Sequence, residues 1–61
     1  MSGEKRREEM LTVLRQSAKP VSGAALARNF AVSRQVVVQD IALLRAQKQE
    51  IISTNKGYLL K

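Results

Sequence analysis

Two glutamines four residues apart, Gln35 and Gln39, sit in the run Val32-Ser33-Arg34-Gln35-Val36-Val37-Val38-Gln39-Asp40-Ile41. On a helix that spacing puts both carboxamides on one face. A carboxamide donates and accepts together, so each can pair with adenine N6 and N7 in a major groove, at about 1–3 kcal/mol of discrimination for a well-placed pair. Solvated glutamines are the competing reading. Arg34 beside them suits a phosphate oxygen more than a guanine edge. Three consecutive valines cannot all enter the core of one helix, so Val36 or Val38 is expected at the surface. There a valine such as Val38 can touch a thymine methyl, with packing against another helix as its competing role. Ala42 and Ala46 continue the outward face and permit close approach, whereas Arg45 lies too near the far end to read bases.

Two further groups fit a polyanion. Ser22, with the backbone N–H groups that follow it, can hold a phosphate as helix N-termini do, although capping explains this serine equally well. Thr54, Asn55 and Lys56 lie between two β-prone runs, where a hairpin tip can meet a DNA backbone or a minor groove. A surface turn of Asn, Lys and Gly is common in any hairpin, so this signal gains value only from a helix-turn-helix beside it.

The elements that must position these residues follow from spacing and punctuation. Met10, Leu11, Val13 and Leu14 recur among charges and predict a first helix from Glu4 to Gln16. Lys5, Arg6 and Arg7 oppose the positive end of that helix's dipole, which points either to a phosphate or to a solvated charged face. Pro20 ends the pattern. Val21 is expected to add a residue or two of strand, and Ser22 to cap a second helix from Gly23 to Arg28 anchored by Leu26. Asn29-Phe30-Ala31-Val32 has the length of a helix-turn-helix turn, with Asn29 suited to a left-handed helix end and Phe30 to the core. Ser33, expected with Arg34, Gln35 and Gln39 at the DNA-reading head, caps a third helix reaching about Gln47, whose stripe of Val37, Ile41 and Leu44 faces inward. Glu50–Ser53 and Tyr58–Lys61 then flank a turn in which Gly57 supplies a positive φ, with Tyr58 and Leu60 pointing inward. The expectation is one α+β, mostly α domain over residues 1–61, a winged helix-turn-helix with a C-terminal two-stranded wing.

Composition narrows the function. The 61 residues contain neither Cys nor His, so a disulfide, a thiolate or imidazole metal site and the usual nucleophile or base are absent. No enzyme and no cofactor are expected of this chain. A formal charge of +6 and a pI near 10.6 favour a polyanionic partner, against the alternative that charge only keeps a small domain soluble. Lys5, Arg6, Arg7, Arg34, Arg45, Lys48 and Lys56 are spread along the chain, so only the fold can gather a patch. Apolar runs are short and the N-terminus is charged, which points to a soluble cytoplasmic chain without a membrane partner.

Gly23, Leu26 and Ala27, the segment Val32–Ile41 quoted above, and Gly57-Tyr58 resemble the N-terminal domain of niacin-responsive transcription repressors, the family with a C-terminal 3H domain. The Ser-Arg pattern and the hairpin are also similar to biotin-repressor-type winged helices. The resemblance covers nearly the whole chain. It implies the double-stranded DNA-binding module of a repressor of niacin/NAD metabolism genes, answering nicotinic acid through a separate metal-containing domain that also supplies dimerisation. The histidines of that domain have no counterpart in these residues. An interaction-only winged helix is the alternative, and it predicts weak duplex binding and an apolar patch in place of a basic one. An RNA-binding winged helix ranks lower, since one Tyr and one Phe leave little surface for stacking bases.

Overall fold

Every helix in the computed structural model, which describes residues 2–61, begins on a serine. The hydroxyls of Ser2, Ser22 and Ser33 accept from the backbone N–H groups of Lys5, Ala25 and Val36 at 3.1, 3.0 and 3.2 Å. Each cap satisfies an N–H that the first turn leaves without a partner, worth about 1 kcal/mol. The helices are α1 (Gly3–Gln16), α2 (Gly23–Phe30) and α3 (Arg34–Ala46), followed by β1 (Ile51–Thr54) and β2 (Gly57–Leu60).

Helix α2 ends later than expected, and α3, which stops at Ala46 close to its expected end, closes by the same motif. Helix α2 runs two residues past Arg28, Asn29 is helical, and the left-handed residue is Ala31, at φ 54°. Val32 N–H bonds to Ala27 O at 3.0 Å and Ala31 N–H to Arg28 O at 3.4 Å, the paired closure of a Schellman motif. Lys48, at φ 68°, closes α3 in the same way, with Gln49 N–H on Leu44 O and Lys48 N–H on Arg45 O. Neither position carries the glycine that usually marks such an end, and the strain of a left-handed non-glycine residue is about 1–2 kcal/mol. The paired bonds, and the seating of Val32 against the core, hold the conformation at Ala31.

Met10 and Leu14 of α1, Leu26 and Ala27 of α2, Val37, Ile41 and Leu44 of α3 and Ile51 of β1 form the core. Phe30 is half-buried at its edge. The hairpin is antiparallel, with Ile51 opposite Leu60, Ser53 opposite Tyr58 and Thr54 opposite Gly57, which shortens its loop to Asn55-Lys56. Tyr58 and Leu60 pack against the core, as their alternation requires. Val21 forms a single bridge to Tyr58, exchanging N–H···O bonds of 2.8 and 2.9 Å with it.

The core also holds a charge. Asp40, on the buried side of α3, is 2% exposed and accepts from Arg6 Nε at 2.6 Å, Arg6 Nη2 at 3.0 Å and Arg7 Nη1 at 3.3 Å. Arg6 and Arg7 therefore neither wait for a phosphate nor form a solvated face; they bind α1 to α3. Burial alone would raise the pKa of Asp40, but the hydrogen bonds and positive charges of Arg6 and Arg7 outweigh it and hold the carboxyl below its ordinary value.

A carboxyl with a lowered folded-state pKa contributes stability that is complete above its unfolded pKa of about 3.9 and is lost as pH falls through the folded value. Thermal unfolding at neutral pH should show Asp40→Asn destabilised by about 3 kcal/mol, the low end for a broken buried pair because both guanidinium groups reach solvent. That is a large share of the roughly 3–9 kcal/mol expected for a chain of this length. Between pH 5 and 2 the variant should lose less additional stability than the native chain. Replacing both arginines by Met should cost more than Asp40→Asn, because it strands the buried carboxylate.

Candidate nucleic-acid interface

Burial of Val37, Asp40, Ile41 and Leu44 fixes which way α3 faces. At 100° per residue the opposite side carries Gln35, Gln39, Ala42 and Ala46, and all four are exposed. Val37 enters the core and Val36 is half-buried, while Val38 is 56% exposed. Val38 is thus the most exposed of the three valines.

Beside that face lies a cleft of about 260 Å³ between the start of α3, the start of α2 and the wing. Ser22, Arg34, Val38, Asn55 and Lys56 all line it, together with Gly23, Ser53, Thr54, Gly57 and Tyr58. Ser22, Arg34, Val38, Thr54, Asn55 and Lys56, each marked by the sequence, thus converge on one concavity. Ser33, Gln35 and Gln39 are exposed but stand outside it. Gly23 keeps the floor low, since a Cβ there would sit 3.7 Å from Tyr58 Cε2 and 3.9 Å from Arg34 Nε. The sequence did not mark Ser53 or Gly23 as site residues, because their place in the wall depends on how the hairpin lies against α2.

Among the described residues ion pairs are confined to Asp40 with Arg6 and Arg7. Arg34 and Lys56 therefore face the cleft with their charges unneutralised. Ser22 and Ser33 accept at their hydroxyl oxygens in capping, which leaves each O–H free to donate outward. No group of three or more His, Cys, Asp or Glu side chains suited to a metal ion occurs among the described residues. None of the helices described is long and apolar enough to cross a membrane.

The wing is held from several sides. At the tip, Thr54 Oγ1 accepts from Lys56 N–H at 3.1 Å and donates to Gly57 O at 2.9 Å. At the root, Arg45 Nε donates to Ile51 O at 3.0 Å and Arg45 Nη2 to Ser53 Oγ at 2.8 Å. Through these two bonds Arg45 braces the hairpin from the last turn of α3. Gly57, at φ 141°, lies against the backbone of Val21 and Ser22, so close that a Cβ would come within 2.6 Å of Ser22 N.

A short turn between the second and third helices, an uncovered polar face on the third and a hairpin flanking it define a winged helix-turn-helix protein. Residues 6–59 match the family described as the HTH domain, and the chain belongs to that family. It is 46% identical over 59 residues to the transcription repressor NadR of Bacillus subtilis, covering 97% of this chain and 33% of that protein. To the probable transcription repressor NiaR of Thermotoga maritima it is 47% identical over 57 residues, 93% of this chain and 33% of the relative. The chain spans about one third of the length of these relatives.

Gly57→Ala should lose about 2–5 kcal/mol in denaturant unfolding, from a side chain forced to positive φ and into backbone that cannot yield. Loss of the Val21–Tyr58 bridge in amide exchange should accompany it.

Proposed function

We propose that this chain is the double-stranded DNA-binding domain of a transcriptional repressor, acting in the cytoplasm on genes of niacin/NAD metabolism and without catalytic activity. The observation that carries the reading is the pairing of an uncovered Gln35/Gln39 face with a cleft holding Arg34 and Lys56, two cations outside the ion pairs of the described residues. Two relatives named as transcription repressors support it, and the niacin assignment rests on the family resemblance.

A helix about 10–12 Å across fits a major groove about 12 Å wide. Helix α3 enters it with Gln35 and Gln39 toward adenine edges, Val38 toward a thymine methyl and Arg34 toward a phosphate. The Ser22 and Ser33 hydroxyls, with the N-termini of α2 and α3, meet phosphates on either side. Asn55 and Lys56 follow the backbone or minor groove beside the helix. Dimerisation and effector response belong to parts of the protein outside these residues. An interaction-only module would need a joined apolar patch, whereas the exposed large apolar residues Val38 and Leu43 point about 140° apart around α3 and Ile52 lies on the wing.

Fluorescence anisotropy against a duplex pool at two salt concentrations tests the reading. With about four phosphates neutralised, the log-log salt slope should be about −3.6, and Lys56→Ala should reduce its magnitude by about 0.9. Sequencing the bound fraction should yield a motif that blurs in Gln35→Ala with Gln39→Ala while the salt slope stays unchanged. Absence of binding at low salt would sink the DNA reading and turn the search to a protein partner.

A further inference from the structure

The wing has one open edge, and Arg45 lies on it. Tyr58 commits its N–H and C=O to Val21 on the far side of β2. By antiparallel alternation its partner Ser53, and Ile51 two residues away, turn their backbone groups outward from β1. Arg45 meets that edge from the last turn of α3, with Nε on Ile51 O and Nη2 on Ser53 Oγ. A guanidinium is planar and its donors are fixed relative to one another, so two bonds from one head set the distance and the tilt of β1 against α3 together.

Beyond Ser53 the tip is closed by Thr54 on Lys56 and Gly57. Among the described residues the side chains of Asn55 and Lys56 make no hydrogen bond to a helix. The height of the tip over the cleft therefore follows from how the two strands are held, β2 by Val21 at Gly57 and Tyr58, and β1 by Arg45.

We propose that Arg45 is a positioning residue that couples the wing to α3, so that Lys56 reaches the same nucleic acid that Gln35 and Gln39 read. This rests on the DNA-binding reading above. Arg45 itself need not touch DNA: its effect on binding passes through Lys56.

Two measurements separate this role from that reading. In the free protein, amide exchange across the Ile51–Leu60 ladder should quicken about tenfold in Arg45→Met, with α1 and α2 unchanged. Ser53→Ala, which removes one of the two bonds and leaves the helix intact, should give a smaller shift of the same kind. Unchanged wing exchange in both variants overturns the proposal whether or not the chain binds DNA. On duplex, Arg45→Met should weaken binding about tenfold, the size of one charge-assisted contact. Combined with Lys56→Ala it should lose no more than about twofold beyond Lys56→Ala alone. Losses that multiply, a loss in Arg45→Met with none in Lys56→Ala, or no loss in Arg45→Met would each overturn it. Failure of the native chain to bind removes the DNA reading, and the exchange measurement still decides whether Arg45 holds the wing.

Discussion

Asp40 carries a negative charge at a position 2% exposed, and such a charge is tolerated only while Arg6 and Arg7 remain on it. That requirement fixes more than one contact. The first turns of α1 must lie across the middle of α3, and α3 must keep one rotation about its axis. With Val37, Ile41 and Leu44 occupying the rest of the inward arc, the outward arc is left to Gln35, Gln39, Ala42 and Ala46. Apolar packing alone tolerates a helix turning by some tens of degrees. A forked pair of hydrogen bonds from Arg6 to one carboxylate, joined by a third from Arg7, tolerates far less.

The wing follows a similar logic with different means. A hairpin of four residues per strand has little stability of its own. Here β2 is paired on both edges, by β1 and by Val21, and its inward residues Tyr58 and Leu60 lean on the helical core. Gly57 lets the two backbones come closer than any side chain would permit. The cleft between wing and α3 is consequently built by backbone proximity and by Arg45.

Much of this was legible in the residues. Ser22 and Ser33 marked helix starts because few residues cap so well, and Val37, Ile41 and Leu44 marked the inward face because helical periodicity admits one such stripe. Alternation did not by itself place Tyr58 and Leu60, because Ile52 and Leu59 make the other parity of the hairpin apolar as well. What stayed hidden is what depends on chain packing or on bonds between segments. Arg6 and Asp40 stand 34 residues apart, so no local rule links them. The ends at Ala31 and Lys48 lacked the glycine by which such closures are recognised. In the cleft, Arg34, Val38 and Lys56 could be named singly, but their convergence depended on the tilt of the hairpin.

The double pairing of β2 has a mechanical meaning. Tension applied at Lys61 enters β2, which lies between β1 and the single bridge at Val21, so it meets backbone bonds to Glu50, to β1 and to Val21. The load divides, part of it passing through Val21 into the linker ahead of α2 and part through β1 and Arg45 into α3. A swivelling body joined at that end would thus tug the base of the third helix and the entrance of the second at once, tilting them as a unit instead of peeling away the hairpin.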